Sequence, residues 1–150
     1  MKRLLLYSLI LAAVFAVPVE RSDVGKLQPV ETVAVYYNVD HFVIKTDTGA
    51  VGRGGNLEEA FASLIETTPA DIYLDTADYL LLDATAETKI DELRSVLKDS
   101  VRLYRFTGDP DLEKVSKYLS VHGGGTKMKN WENGVVLQVL QCKEEQMILT

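Results

Sequence analysis

Two runs, VETVAVYY (30–37) and HFVIKTD (41–47), constrain the fold more than any other feature of this chain. Both are rich in β-branched and aromatic residues and only Asn38, Val39 and Asp40 separate them, so the spacing predicts a β-hairpin. The hairpin runs into TDTGAVGRGGNLEEAFASL (46–64), where glycines crowd ahead of a helical pattern. Asn56 is a good N-cap, Glu58 and Glu59 fall in the acid-favouring first turn, and Leu57, Ala60, Phe61, Leu64 and Ile65 recur at helical spacing. Pro69 ends that helix, since it cannot continue one.

The same alternation of periods continues downstream. DIYLDTADYLLLD (71–83) holds two short apolar runs, read as one strand with an irregular middle or as a strand and a bend. A second helix is expected from about Ala84 to Asp99, with Ile90, Leu93, Val96 and Leu97 inward. VRLYRF (101–106) alternates like a half-buried strand. A third helix follows, with Asp109 as N-cap, Pro110 at its first position and Leu112, Val115 and Leu119 inward. GGGTKMKN reads as a loop, and GVVLQVLQC and QMILT as two closing strands joined by KEEQ. The expected order is β-β-α-β-α-β-α-β-β: a single α/β (α+β) domain over residues 30–150, a mixed sheet of five to six strands with three helices packed on it.

The first residues have a different character. Lys2 and Arg3 precede an apolar run from Leu4 to Phe15 and a small residue, Ala16, which is the layout of an export signal at 1–16. The run is short for a bilayer span, so cleavage is favoured over a permanent anchor, and the protein is expected outside the cytoplasm. It would be secreted, or tethered to the membrane if the N-terminus stays uncleaved. Residues 17–29, polar with two prolines, read as a linker. At 47% hydrophobic and 25% charged residues, the remainder is the composition of a folded domain. Without residues 1–16 the chain keeps 14 basic against 22 acidic residues, a net charge of −8. That balance argues against nucleic acid and anionic lipid as partners, both of which require a cationic face.

Four features of the sequence bear on chemistry. The stretch from Gly49 to Asn56, with Gly52, Arg53, Gly54 and Gly55, invites an anion-binding reading. It lacks the third glycine of a dinucleotide fingerprint, since position 57 is leucine, and the lysine of a P-loop, since Asn56 follows Gly55. Glycines supplying positive φ for a turn explain it better, and the anion site stands as the alternative. HGGGTK (122–127) follows a helix instead of preceding one, so Gly123 reads as its left-handed terminator, with His122 favourable at the negative end. His41 and His122 stand far apart without a ligand-spaced partner, and the aspartates 71, 75, 78 and 83 bracket strands as turn-formers do, so no metal is expected. No nucleophile motif surrounds the serines, and the lone Cys142 lies in an apolar run, where it reads as a small core or edge residue. Neither catalysis nor a cofactor is expected.

The order of pieces resembles the N-terminal domain of the spore germination receptor C-subunit family, the Ger(x)C proteins of endospore-forming Firmicutes. The resemblance rests on the export signal, the strand pair VETVAVYYNVDHFVIKTD, the run GNLEEAFASLIETTPADIYLDTADYLLL and the strand–helix run VRLYRFTGDPDLEKVSKYL, together most of residues 25–122. Members of that family are lipoproteins of more than twice this length, whereas no cysteine follows the apolar run here. The resemblance therefore implies a short form without the lipid anchor, non-enzymatic, acting through contacts with envelope or germination-receptor proteins. It carries no catalytic residue onto this chain.

Overall fold

A computed structural model describes residues 27–132, 134–143 and 146–150. The export signal at 1–16 and residues 17–26 of the expected linker lie outside the described residues. The last three linker residues do not form a tether. They make strand β1 (Leu27–Pro29), which pairs in parallel with β5 (Asp71–Tyr73) as a separate two-stranded sheet. Thr76 fastens this pair, its hydroxyl 3.0 Å from Val30 N and 2.9 Å from Val30 O.

The expected hairpin is present as β2 (Thr32–Asn38) and β3 (His41–Thr46), in antiparallel register from Asn38–His41 to Val33–Thr46. The glycine stretch then departs from expectation. Val51–Gly54 is a third strand, β4, antiparallel to β3. Helix α1 (Leu57–Thr67) follows, capped by Asn56, and buries Leu57, Ala60, Phe61 and Leu64.

Residues 71–83 resolve into β5, one turn of 3-10 helix and β6 (Tyr79–Leu82), with β5 and β6 in different sheets. The long helix expected over 84–99 is instead two single turns, α2 (Ala84–Glu87) and α3 (Ile90–Leu93). Local side-chain bonds explain the break. Thr88 Oγ1 donates to Thr85 O at 2.7 Å, and Ser95 Oγ to Glu92 O at 2.7 Å. The backbone amides of Thr88, Lys89 and Ser95 likewise turn to carbonyls three residues back, so the regular ladder is lost. Three of the four residues expected inward, Ile90, Leu93 and Leu97, are buried, but Val96 is exposed.

Strand β7 (Arg102–Thr107) is as expected, and α4 (Leu112–His122) buries Leu112, Val115 and Leu119. Its start is displaced by two residues, because Asp111 and not Asp109 accepts the Lys114 N–H, at 3.3 Å. Gly123 has φ −68 and is not left-handed; Gly125, at φ +65, makes the turn. The expected GGGTKMKN loop holds a two-residue strand, β8 (Thr126–Lys127), and a 3-10 turn that buries Met128. Strands β9 (Val139–Lys143) and β10 (Gln146–Leu149) form the closing hairpin.

The main sheet has eight strands in the order β10-β9-β7-β6-β2-β3-β4, with β8 paired to the start of β7. β2, β6, β7 and β9 run parallel through its centre, and antiparallel strands flank them. The mixed α/β architecture is thus as expected, with more strands and four helices among the described residues. Side chains alternate across the sheet. Val33, Val35, Leu80, Leu82 and Leu103 pack on one face with α1, α2 and α3, whereas Ala34, Leu81, Tyr104 and Phe106 pack on the other with α4. Helices therefore cover both faces, as the continuous burial of Leu80, Leu81 and Leu82 requires.

Candidate functional site

The glycine stretch was the first candidate from sequence, and the geometry gives it a packing role. Gly49, with φ +86, makes the turn between β3 and β4. Gly52 and Gly54 have no such conformation; they lie against α1. A Cβ on Gly52 would sit 2.1 Å from Ala60 O and 2.7 Å from Leu64 Cβ, and one on Gly54 would sit 2.4 Å from Ala60 N. The glycines let a helix lie directly on an edge strand.

The helix start is occupied by the chain itself. Gly55 N–H donates to Glu59 Oε2 at 2.9 Å, and Glu59 N–H donates to Asn56 Oδ1 at 2.8 Å. A carboxylate of the helix thus takes the place an external anion would need. Since Gly52 and Gly54 face α1, strand alternation sends the exposed Arg53 to the opposite side of the sheet. Arg53 therefore stands apart from the helix start that Gly55 and Asn56 form.

A second region was not singled out from sequence: the rim at the carboxyl ends of the parallel strands. Here β6 passes into α2 on one face, and β7 passes into α4 on the other. Such a divergence opens the crevice in which open α/β sheets bind their ligands. The signal in the sequence was the placing of Asp83 and of Gly108-Asp109-Pro110 directly after two apolar strands.

Asp83 organises this rim. Its Oδ1 accepts Ala86 N–H at 2.6 Å, capping α2, and its Oδ2 accepts Tyr37 N–H at 2.9 Å, tying in the end of β2. Tyr36 and Phe106 meet edge to face, with ring centroids 6.1 Å apart. Between these strands and the start of α4 lies a cavity of about 270 Å³, lined by Tyr36, Asp83, Phe106, Gly108, Asp109 and Pro110. Lys45, on β3, brings its ammonium 5.5 Å from the Tyr36 ring centroid and 3.5 Å from Asp109 Oδ1. Beyond the cavity, the Arg105 guanidinium is paired to the Glu87 carboxylate.

Cys142 borders the same rim. Gly108, at φ +90, packs so closely on β9 that a Cβ would lie 2.2 Å from Cys142 O. Burial, and then the Asp109 charge, push the Cys142 thiol pKa up, so it stays protonated at neutral pH and is a poor nucleophile.

The next strand end toward the sheet edge carries the hairpin tip. Val39 has φ 57 and is 91% exposed. Asp40 N–H donates back to Asn38 O at 2.6 Å, so the tip is a three-residue turn of the rare, strained positive-φ kind. Tyr37 beside it is also exposed and rests edge-on against Phe42.

Asp47 is the carboxylate whose pKa is raised, at the opposite ends of these strands. Burial is the main cause, opposed by its bond from Glu31 N–H and reinforced by the Glu31 charge. Its Oδ2 ties the β3–β4 turn to the start of β2, a structural duty. Because the folded state raises this pKa, it favours the protonated acid. That stability is present below the unfolded value, near 3.8, and is lost as pH rises through the folded pKa. Asp47→Asn keeps the acceptor and removes the charge. The variant is expected to melt a few degrees higher than the parent at pH 7, with the difference vanishing near pH 3; thermal denaturation across pH checks this.

Among the described residues, no three His, Cys, Asp or Glu side chains come together to hold a metal ion. No described helix is long and apolar enough to cross a membrane. No family model, curated protein or solved structure matches the chain.

Proposed function

We propose that this chain is an exported, non-catalytic α/β domain that acts through protein–protein contacts in the cell or spore envelope of a spore-forming bacterium. In this reading it is a short relative of the germination receptor C-subunit N-terminal domain, with residues 1–16 directing export. The observation that carries the contact role is the hairpin tip. A β-branched residue in the left-handed region costs about 1 kcal/mol or more. Val39 buries almost nothing of itself in return. Strain of this kind, displayed at an exposed tip beside an exposed tyrosine, fits a surface that is completed by another protein.

The test separates stability from function. Val39→Gly relieves the turn and is expected to raise stability by about 1 kcal/mol, seen as a higher denaturation midpoint. The same variant is expected to lose the contact in envelope fractions of producing cells, read as loss of a co-purifying complex on size-exclusion chromatography. A variant that is more stable and still fully in complex counts against the tip as the contact surface.

A further inference from the structure

We propose that the rim cavity receives an alkylammonium group and that, resting on the contact role above, this group is a lysine side chain of the partner. Three features of the cavity point to a cation. Its apolar walls are the Tyr36 and Phe106 rings, whose faces attract positive charge. Its polar walls are two carboxylates, Asp83 and Asp109. Among the described residues, the carboxylate oxygens of Asp83 accept backbone N–H bonds and no cationic side chain pairs with them. The third feature is the chain's own demonstration that this corner holds an ammonium. Lys45 lies against Tyr36 and Asp109 from the β3 side, outside the cavity lining. Contact with Tyr36, foremost, and with Asp109 pushes its pKa up despite burial, so it is held in its charged form.

The setting agrees with the chemistry. The cavity lies where the connections after β6 and β7 diverge to opposite faces, the position from which loops present a ligand to the sheet. At about 270 Å³ it is near the lower bound for small-molecule sites, sized for a side chain and not for a nucleotide. Tyr37 turns to the face opposite Tyr36 and the exposed Val39 stands two residues beyond it, so a partner segment seated on the tip lies one strand end away from the cavity. The acidic excess of the chain, net −6, favours approach by a basic segment.

Lys45 gives the proposal a directional test. An ammonium entering the cavity competes with Lys45 for Tyr36 and Asp109, so Lys45→Met should tighten binding, whereas a site for anions would be weakened by the same change. Amide NMR of the full chain, titrated with n-butylammonium, is expected to show saturating shifts at Tyr37, Gly108 and Asp109, with a midpoint on the order of 1–10 mM. Lys45→Met lowers that midpoint about threefold and Asp109→Asn raises it about threefold. Tyr36→Phe, which keeps the ring, binds like the parent, and Tyr36→Leu does not bind. A pentapeptide with one central lysine between alanines reproduces the shifts, and its Nε-acetylated form does not.

Equal shifts from butyrate or from the acetylated peptide, or a looser midpoint in Lys45→Met, overturn the cation site. Binding of n-butylammonium without the lysine peptide overturns the assignment to a partner side chain. Val39→Gly leaves these titrations unchanged, so failure of the cavity and failure of the tip are read separately.

Discussion

Alanine at position 52 is expected to destabilise the fold by about 3 kcal/mol or more, a lower denaturation midpoint at unchanged steepness. The added Cβ would fall 2.1 Å from Ala60 O and 2.7 Å from Leu64 N and Cβ. These are atoms of the helix and its buried stripe, so no flexible side chain can swing away. Relief requires α1 to lift from β4, which would expose Leu57, Phe61 and Leu64 to water. Gly54→Ala should behave alike, since its Cβ would meet Ala60 N at 2.4 Å. Gly55→Ala is the control: among the described residues its Cβ would meet only Glu59 Oε2, at 3.3 Å, and it should be nearly neutral. If the glycines served only to bend a loop, the 52 and 55 variants would be equally mild.

The second large effect is at Asp83, where Asp83→Ala is expected to cost about 2 kcal/mol. One oxygen caps α2 through Ala86 N–H, and the other accepts Tyr37 N–H at the end of β2. Removing both leaves two backbone donors to be resolvated at the rim and loosens the hairpin on which Val39 stands. Asp83→Asn retains one carbonyl acceptor and should recover about half of the loss. Equilibrium denaturation of the three proteins ranks them, with amide exchange at Tyr37 and Ala86 showing which bond each variant has lost.

The elements read best from sequence were those whose patterns are local. The β-branched run 30–47 and the capped stripe from Asn56 need only their own residues to declare themselves, and both are where expected, except that Ile65, read as the end of the stripe, is exposed. The same holds for Leu112, Val115 and Leu119 on α4. Features set by distant partners were hidden. Leu27–Pro29 becomes a strand only because residues 71–73 are beside it, and Gly52 and Gly54 look like turn glycines until α1 is laid on them.

The stretch 84–99 has the apolar spacing of a helix, yet Thr88 and Ser95 compete for its carbonyls, and periodicity does not register that competition. Pro110 pointed to Asp109 as the cap of α4. The choice falls to Asp111 because its own oxygen reaches Lys114 N–H, while Asp109 faces Lys45. The rim cavity was invisible for a related reason. Tyr36, Asp83, Phe106 and Asp109 belong to three strand ends that adjoin only through the parallel order β2-β6-β7. Spacing along one strand or helix says nothing about such a set.

The contact role is tested most directly by a photo-crosslinking residue at position 39, used in intact producing cells. A discrete crosslinked species is expected in protease-accessible, extracytoplasmic material, and none is expected when the residue is placed at Glu66, on the exposed side of α1. A protein that stays in the cytoplasm with residues 1–16 intact, or that crosslinks equally from both positions, would contradict it.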